Sequence, residues 1–319
     1  MPLRLLSGIL ASAFSLMPAD LKPPATEKDN VTETIHGQRI TDPYRWLEDQ
    51  DAPRTRAWID AQMKHTRAVL DPLPGRETLR RQLDALLRVE RTGMPRELGG
   101  RYFYTRRAAG ESFGALYVRR GLNGAETKSI DFEALTPDKS KSGSVVAYSL
   151  DGKRLAYQIR KGGEDEVEIR FFDVDAARDL PDRLPRVRWG GGGFNRDASS
   201  FYFSTGSGPQ GTIFRHPMNG SDTVERIYSR DIDAKQFISA DVSEDGRWLT
   251  AAISEGWGKK TEIYLLNLAE PRAAWRPLVT NIDAEFSGEV FGSRFIANTN
   301  WKAPKRRGLA IDPATPTPA

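Results

Sequence analysis

The stretch SLDGKRLAY, residues 149–157, decides the fold, because close variants of it return along the chain. NRDASSFYF stands at 195–203 and SEDGRWLTA at 243–251. Each copy places an Asp and a small residue ahead of a segment in which apolar residues alternate. Asp-Gly supplies the positive-φ positions that a tight hairpin needs. Weaker copies lie on either side, at Gly100-Arg101-Tyr102-Phe103 and Ser293-Arg294-Phe295-Ile296. From Gly100 the steps to Gly152, Ala198, Gly246 and Ser293 are 52, 46, 48 and 47 residues.

Between these turns the pattern keeps a period of two. RYFYTRR (101–107), EVEIRFFDVD (166–175), RWLTAAIS (247–254) and TEIYLLNL (261–268) are rich in aromatic and β-branched residues, and Gly, Asn, Asp and Ser clusters separate such segments. Nothing beyond Gly99 shows helical periodicity. A period near 47 residues with about four strands in each is the signature of a β-propeller blade, and a β-sandwich would not repeat its turn at so fixed a spacing. From Gly99 to Ala319 there are 221 residues, enough at this period for four blades and part of a fifth. The expectation is a mainly β protein with about four to five blades and an unfinished ring over residues 99–319.

Working back toward the amino terminus, residues 26–98 read as a helical segment. Asp51 can cap a helix that carries Pro53 in its first turn, a favoured place for proline. Ile59, Met63, Thr66 and Leu70 then share one face, and DPLPG (71–75) ends the helix. A second helix begins near Arg76, with Leu79, Leu83, Leu86 and Leu87 as its stripe, and TGMPRELGG (92–100) closes it. The two stripes predict a helical hairpin that needs something to pack on. Residues 1–25 stand outside this scheme. Arg4, the apolar stretch Leu5 to Leu16 and a small-residue site before Asp20 outline a signal peptide. A disordered or packed arm fits the same residues, which leaves a periplasmic or secreted location and a cytoplasmic one both open.

Composition excludes several kinds of chemistry. With 39% hydrophobic and 28% charged residues over 319 positions, a water-soluble globular protein is expected. No apolar run has the length of a membrane span, so no membrane partner is expected. The net charge of +4 is small, and basic residues are scattered among acids, which argues against nucleic acid. The densest basic group, Lys302 to Arg307, reads as a solvated turn. The absence of cysteine removes disulfides, thiolate metal sites and a Cys nucleophile. His36, His65 and His216 share no ligand spacing, so neither a metal nor another cofactor is expected, and His65 and His216 read as packed or surface residues. Gly110-Glu111-Ser112-Phe113-Gly114 matches G-x-S-x-G in letters. That motif works where a strand turns sharply into a helix, whereas here it joins two alternating strands, so Ser112 reads as a hairpin residue. WGGGGF (189–194) precedes a turn and a strand rather than a helix, and reads as a crossing between blades. No catalytic residue is assigned.

One stretch carries a more specific signal. DPYRWLED (42–49), followed by the Trp-containing segment TRAWIDAQ (55–62), resembles the amino-terminal segment of prolyl oligopeptidases, serine peptidases of the S9 class. The likeness continues through GGRYFYTRR, VVAYSLDGKRLAY, SADVSEDGRWLTAAISEG and TNWKAPKRRGLAIDP, over roughly residues 33–312 in the family's own order. The resemblance implies a seven-bladed propeller, here incomplete, set over an α/β-hydrolase catalytic domain with a Ser, Asp and His triad. It implies that Tyr44 and Trp46 serve a domain interface, the alternative being that they pack on the propeller's own rim. Trp189 falls where the family has an aromatic reaching toward substrate, and an ordinary core Trp fits it equally. No position matches the triad, the oxyanion donors or the proline pocket. Two functions follow as expectations. The first is the amino-terminal part of an endopeptidase that cleaves short proline-containing peptides after proline, its propeller excluding large substrates. The second is a stand-alone propeller-like module that binds protein or peptide without catalysis.

Overall fold

The computed structural model describes residues 22–135, 140–188, 191–205, 210–232, 235–256 and 260–314. The amino-terminal signal or arm therefore lies, through residue 21, outside the described residues. The chain divides into two units, one ending at Arg88 and the other beginning at Val89.

In the first unit β1 (Val31–Ile35) and β2 (Gln38–Asp42) form an antiparallel pair. A single 3-10 turn, Arg45–Leu47, leads into α1 (Pro53–Leu70) and then α2 (Arg76–Leu87). Pro53 is the first helical residue, where its missing N–H costs nothing. The helix cap is Ala52, not Asp51 as the sequence suggests. The carboxylate of Asp49 takes the backbone N–H groups of both Asp51 and Ala52, each at 3.2 Å, so an Asx turn starts two residues earlier. Buried residues are few: α1 buries Thr55 and α2 none. Leu79, Leu83, Leu86 and Leu87 are between 47% and 69% exposed, so none of the apolar stripe of α2 is buried. No described helix is long and apolar enough to cross a membrane.

The second unit is five antiparallel sheets, one for each copy of the turn. The first contains β3 (Arg91–Thr92), β4 (Arg96–Leu98), β5 (Arg101–Arg107), β6 (Ala115–Arg120) and β7 (Glu126–Asp131). The second contains β8 (Lys141–Tyr148), β9 (Arg154–Lys161), β10 (Glu166–Asp173), β11 (Arg178–Arg183) and the short β12 (Val187–Arg188). β13 (Gly193–Phe194), β14 (Ser200–Ser204), β15 (Gln210–Pro217) and β16 (Glu225–Asp231) form the third. β17 (Gln236–Val242), β18 (Trp248–Glu255), β19 (Lys260–Asn267) and β20 (Arg276–Val279) form the fourth. β21 (Phe286–Phe291), β22 (Arg294–Thr299) and β23 (Arg307–Ile311) form the fifth. In all five, strands next to each other in the main ladder follow one another up and down the chain, apart from the short β4 and β12 pairings.

In the second to fifth sheets the repeated turn joins the first two strands, and in the first sheet it joins β4 to β5. In the 149–154 and 243–248 copies the chemistry inside the turn repeats atom for atom. Ser149 Oγ donates to Asp151 Oδ1 at 2.7 Å, Lys153 N to the same oxygen at 3.0 Å, and Arg154 N to Ser149 Oγ at 2.9 Å. Ser243, Asp245, Arg247 and Trp248 repeat these three bonds at 2.7, 3.1 and 3.0 Å. At 195–200 Asn195 replaces the serine, and its Oδ1 accepts from Ser200 N at 2.9 Å. The sequence motif is thus a closed hydrogen-bonded loop rather than a spacer.

Alternation within the strands then fills both faces of the inner sheets. Leu155, Tyr157 and Ile159 of β9 pack with Phe103, Leu116 and Val118 of the first sheet. Ala156 of β9, with Val167, Ile169 and Phe171 of β10, packs instead on Phe194, Phe201 and Phe203 of the third. The fourth sheet does the same, Leu249, Ala251 and Ile253 facing the third sheet and Ile263 and Leu265 the fifth. Each such Val, Leu, Ile or Phe side chain contributes about 1.5–3 kcal/mol by leaving water, and an alanine methyl less. Only period-two strands buried on both sides can supply two cores at once.

The repeated position is left-handed at Gly100, Gly152, Ala198 and Gly246, and of these only Ala198 carries a Cβ, at φ 53°. In the fifth copy the left-handed residue is Gly292, one before Ser293. At Gly246, φ 69°, an added Cβ would lie 2.5 Å from the backbone nitrogen of Arg196. The left-handed conformation costs a residue with a Cβ about 1–2 kcal/mol, while a glycine costs about 0.4–1 kcal/mol through the unfolded chain. Ala198→Gly is therefore expected to stabilise the protein by about 0.5 kcal/mol or more, and Gly246→Ala to destabilise it by about 2 kcal/mol or more. Urea midpoints at unchanged slope measure both. Burial pushes the Asp151 carboxyl up, but the Lys153 amide and the Ser149 hydroxyl outweigh it and hold it below its ordinary value. The hydroxyl and amide of Ser199 do the same for Asp197. Such depressed groups stabilise the fold above their unfolded pKa, near about 4, and that stability is lost as the pH falls further. Asp151→Asn is expected to flatten the acid limb of the stability curve, read by denaturation between about pH 6 and 2.

Candidate functional site

The residues singled out from DPYRWLED lie where the first unit is held together by polar tips. Tyr44 N donates to Asp42 Oδ1 at 2.8 Å, and Tyr44 is 40% exposed. Trp46 is half-buried. Its Nε1 donates to the Glu27 carbonyl at 3.1 Å, its ring meets Trp58 edge-on at 6.4 Å, and the Arg54 guanidinium lies 4.2 Å over it. Trp58 and Gln62 of α1 tie down residues 24–26 through Thr26 Oγ1 and the Pro24 carbonyl. Beside Tyr44, Arg45 bonds Glu33 at 2.7 Å and Asp42 at 3.1 Å. Arg45 lowers the Glu33 carboxyl, while the Tyr44 amide and then Arg45 lower Asp42. Trp46 is thus committed to its own unit, and Tyr44 is left open to solvent.

In the second unit Ser112 sits in the loop between β5 and β6, exposed, with its N–H donating to Glu133 Oε2 at 3.1 Å. No helix follows it, so the G-x-S-x-G letters mark a hairpin. Trp189 lies outside the described residues. Beyond it, residues 191–192 lead into β13 of the third sheet. Gly192, at φ 132°, passes so close to β14 that a Cβ would stand 2.3 Å from the Tyr202 carbonyl, which requires a glycine there. Asp241 and Glu289 border an open cleft of about 650 Å³ against the fifth sheet. Solvent reaches Asp241, yet the protein crowded around it raises its carboxyl, with the Ser239 hydroxyl opposing. No group of three or more His, Asp or Glu able to hold a metal occurs among the described residues.

The least exposed ionisable pair is one the sequence does not announce. His216 of β15 is fully buried, stacked on Phe171 at 5.6 Å. Its Nδ1 lies 2.8 Å from the Thr223 carbonyl and its Nε2 3.2 Å from Asp182 Oδ1, which also accepts Gly220 N at 2.9 Å. The ring is thus held at both nitrogens, by a backbone carbonyl on one side and a carboxylate on the other. The pair ties the second sheet to the third.

The family model for the N-terminal β-propeller domain of prolyl oligopeptidase matches residues 23–319. The chain belongs to this family. It is 26% identical to the prolyl endopeptidase of Elizabethkingia meningoseptica over 320 residues, covering 94% of this chain and 44% of that protein. The prolyl endopeptidase of Elizabethkingia miricola is 24% identical, with 98% and 46% covered. A solved structure from a study of two prolyl endopeptidases superimposes at a TM-score of 0.78 with 29% identity, over 93% of this chain and 45% of that one. The second unit is accordingly a propeller-type domain, and the chain spans under half the length of these relatives. What it matches is their propeller half, not the catalytic domain.

For this propeller the Asp182–His216 pair gives a direct test. His216→Phe keeps the stacking on Phe171 but leaves the Asp182 carboxylate buried, and is expected to cost about 3 kcal/mol or more. Adding Asp182→Leu is expected to recover part of that loss, as removing both partners of a buried pair does. Guanidinium denaturation of the two variants and the parent decides it.

Proposed function

We propose that the complete protein is a prolyl oligopeptidase-like serine endopeptidase that cleaves short peptides after proline, and that this propeller filters substrates by size above its active site. The carrying observation is the match over residues 23–319 to the propeller domain of that family. The partner of the chain in this reading is an α/β-hydrolase catalytic domain. Tyr44, exposed beside the Arg45 ion pairs, and the leucine stripe of α2 are the surfaces that would meet it, with Trp46 holding the segment of Tyr44 in place. The two helices would complete a hairpin only against that domain, which accounts for a stripe left open to water. Trp189 would reach toward substrate from the crossing into the third sheet. A seven-bladed ring would lay a further blade on the fifth sheet, whose Phe291 and Ile296 are 56% and 46% exposed.

Expression from the gene with whatever sequence continues in frame, beside residues 1–319 alone, tests the proposal. The longer protein is expected to release chromophore from a short proline-linked peptide and to spare the same sequence within a folded protein. Residues 1–319 are expected to show no turnover, and Ser112→Ala to change nothing. A continuation without a hydrolase domain would favour the stand-alone binding module. Tyr44→Ala is expected to leave the stability of residues 1–319 within about 0.5 kcal/mol of the parent, yet to lower the thermal midpoint of the longer protein. Equal shifts in both would remove Tyr44 from the interface.

A further inference from the structure

A cavity of about 830 Å³ opens between the first and second sheets. Short β3 and β4 border it on one side and β8 on the other, and each of these strands is the last of its sheet on that side. β8 pairs only with β9, so its other edge offers backbone N–H and C=O groups without a ladder partner. Residues 143–146 of that strand line the cavity, and the register slips between Val145 and Ala147, a bulge of the kind that re-aims an edge.

The charge of the wall is one-sided. Arg91, Arg96, Arg106 and Arg107 line it, and among the described residues no carboxylate does. Glu126 bonds Arg106 at 2.6 and 3.2 Å from outside the cavity, and Glu244 stands 3.9 Å from Arg96. Arg91 is exposed and has no ion pair among the described residues. It sits directly across the β3–β5 ladder from Arg107. Tyr148 closes the cavity with its ring 5.8 Å from the Arg96 guanidinium. Burial pushes its phenol up to about 12, so it stays a neutral donor at physiological pH.

A small inorganic anion would use the arginines but not the edge of a strand. An apolar peptide would use the edge and leave Arg91 unmatched. A volume within the range of small-ligand sites suits a short extended segment. We propose that the cleft between β3–β4 and β8 binds an extended acidic peptide, which adds to β8 as a strand and sets its carboxylates against Arg91 and Arg96. Backbone pairing gives such a complex its affinity and the side-chain charges its choice of sequence. The site belongs to the first two sheets and stands whether or not the complete protein cleaves after proline.

Fluorescence anisotropy on the 319-residue protein tests it with three labelled peptides, blocked at both ends and free of proline, in which alternate positions are Glu, Lys or Ser. The Glu peptide is expected to bind at least about tenfold tighter than the others, and to weaken as salt rises from about 50 to about 500 mM. Arg91→Glu with Arg96→Glu is expected to abolish that preference, and Arg91→Lys to keep it, with circular dichroism reporting the fold of each. A Glu peptide N-methylated along one edge keeps its charge and is expected to lose at least about tenfold, which tests strand addition on the unaltered protein. Equal binding of all three peptides, no binding, or indifference to the charge reversal would overturn the proposal. Undiminished binding of the N-methylated peptide, or its displacement by millimolar inorganic phosphate alone, would reduce the site to a simple anion pocket and overturn it equally.

Discussion

The structure depends on how closely the first turns of neighbouring sheets approach one another. The Asp151 carbonyl accepts Arg101 Nη1 at 3.0 Å, the Ala198 carbonyl accepts Arg154 Nη1 at 2.8 Å, and the Gly246 carbonyl accepts Arg196 N at 3.1 Å. In each case the carbonyl lies at or next to the left-handed residue of its turn, and the donor comes from the sheet before. A buried carbonyl needs such a partner, since leaving it unpaired would cost about as much as a lost hydrogen bond. The contact therefore sets the spacing of the sheets at one end, and it leaves no room at Gly246 for a side chain.

Once the turns are locked, the rest of each sheet has little freedom. A one-residue slip would exchange the two faces of every strand. In β9 that slip would send Leu155, Tyr157 and Ile159 toward the third sheet and Ala156 toward the first. The four cores hold different volumes, aromatic-rich between the second and third sheets and largely aliphatic between the third and fourth, so the exchange would overfill one and empty another. Long-range polar pairs reinforce the same register. Arg101 reaches Asp175 through two bonds at 2.8 and 2.9 Å, and that hydrogen bonding holds the Asp175 carboxyl low.

What the sequence reveals and what it hides divide along the same line. Turns and alternation are local, and from Asp151-Gly152, Asp197-Ala198 and Asp245-Gly246 alone the sheets can be placed one per repeat. Asp51 misleads as a helix cap because Asp49, two residues earlier, is also placed to take the free N–H groups, and spacing does not rank the two. His216 and Asp182 are 34 residues apart in different strands, and no pattern in RHP or LPDRLP pairs them. The cleft between β3–β4 and β8 is hidden for the same reason. Its arginines are spread from residue 91 to residue 107 among other basic residues, and only the ladder shows that Arg91 faces Arg107 while the acids point elsewhere.

The two units differ in what they still need. The sheets satisfy most of their apolar surface among themselves, with Phe171, Phe201, Phe203 and Phe295 fully buried. α2 is a helix of 12 residues with no buried side chain and a left-handed glycine at its cap position. A helix of that length is marginal in water by itself, because nucleation is costly and each further residue adds little. Its ion pairs, Arg80 with Glu77 and Arg88 with Asp84, are solvent-exposed and do not replace a packed face. Leucine is a good helix former, but four of them on one exposed face are a liability that selection for a solitary helix would remove. The stripe of α2 therefore contributes little burial to hold that helix, whereas the sheets bury large side chains on both faces and supply their own cores.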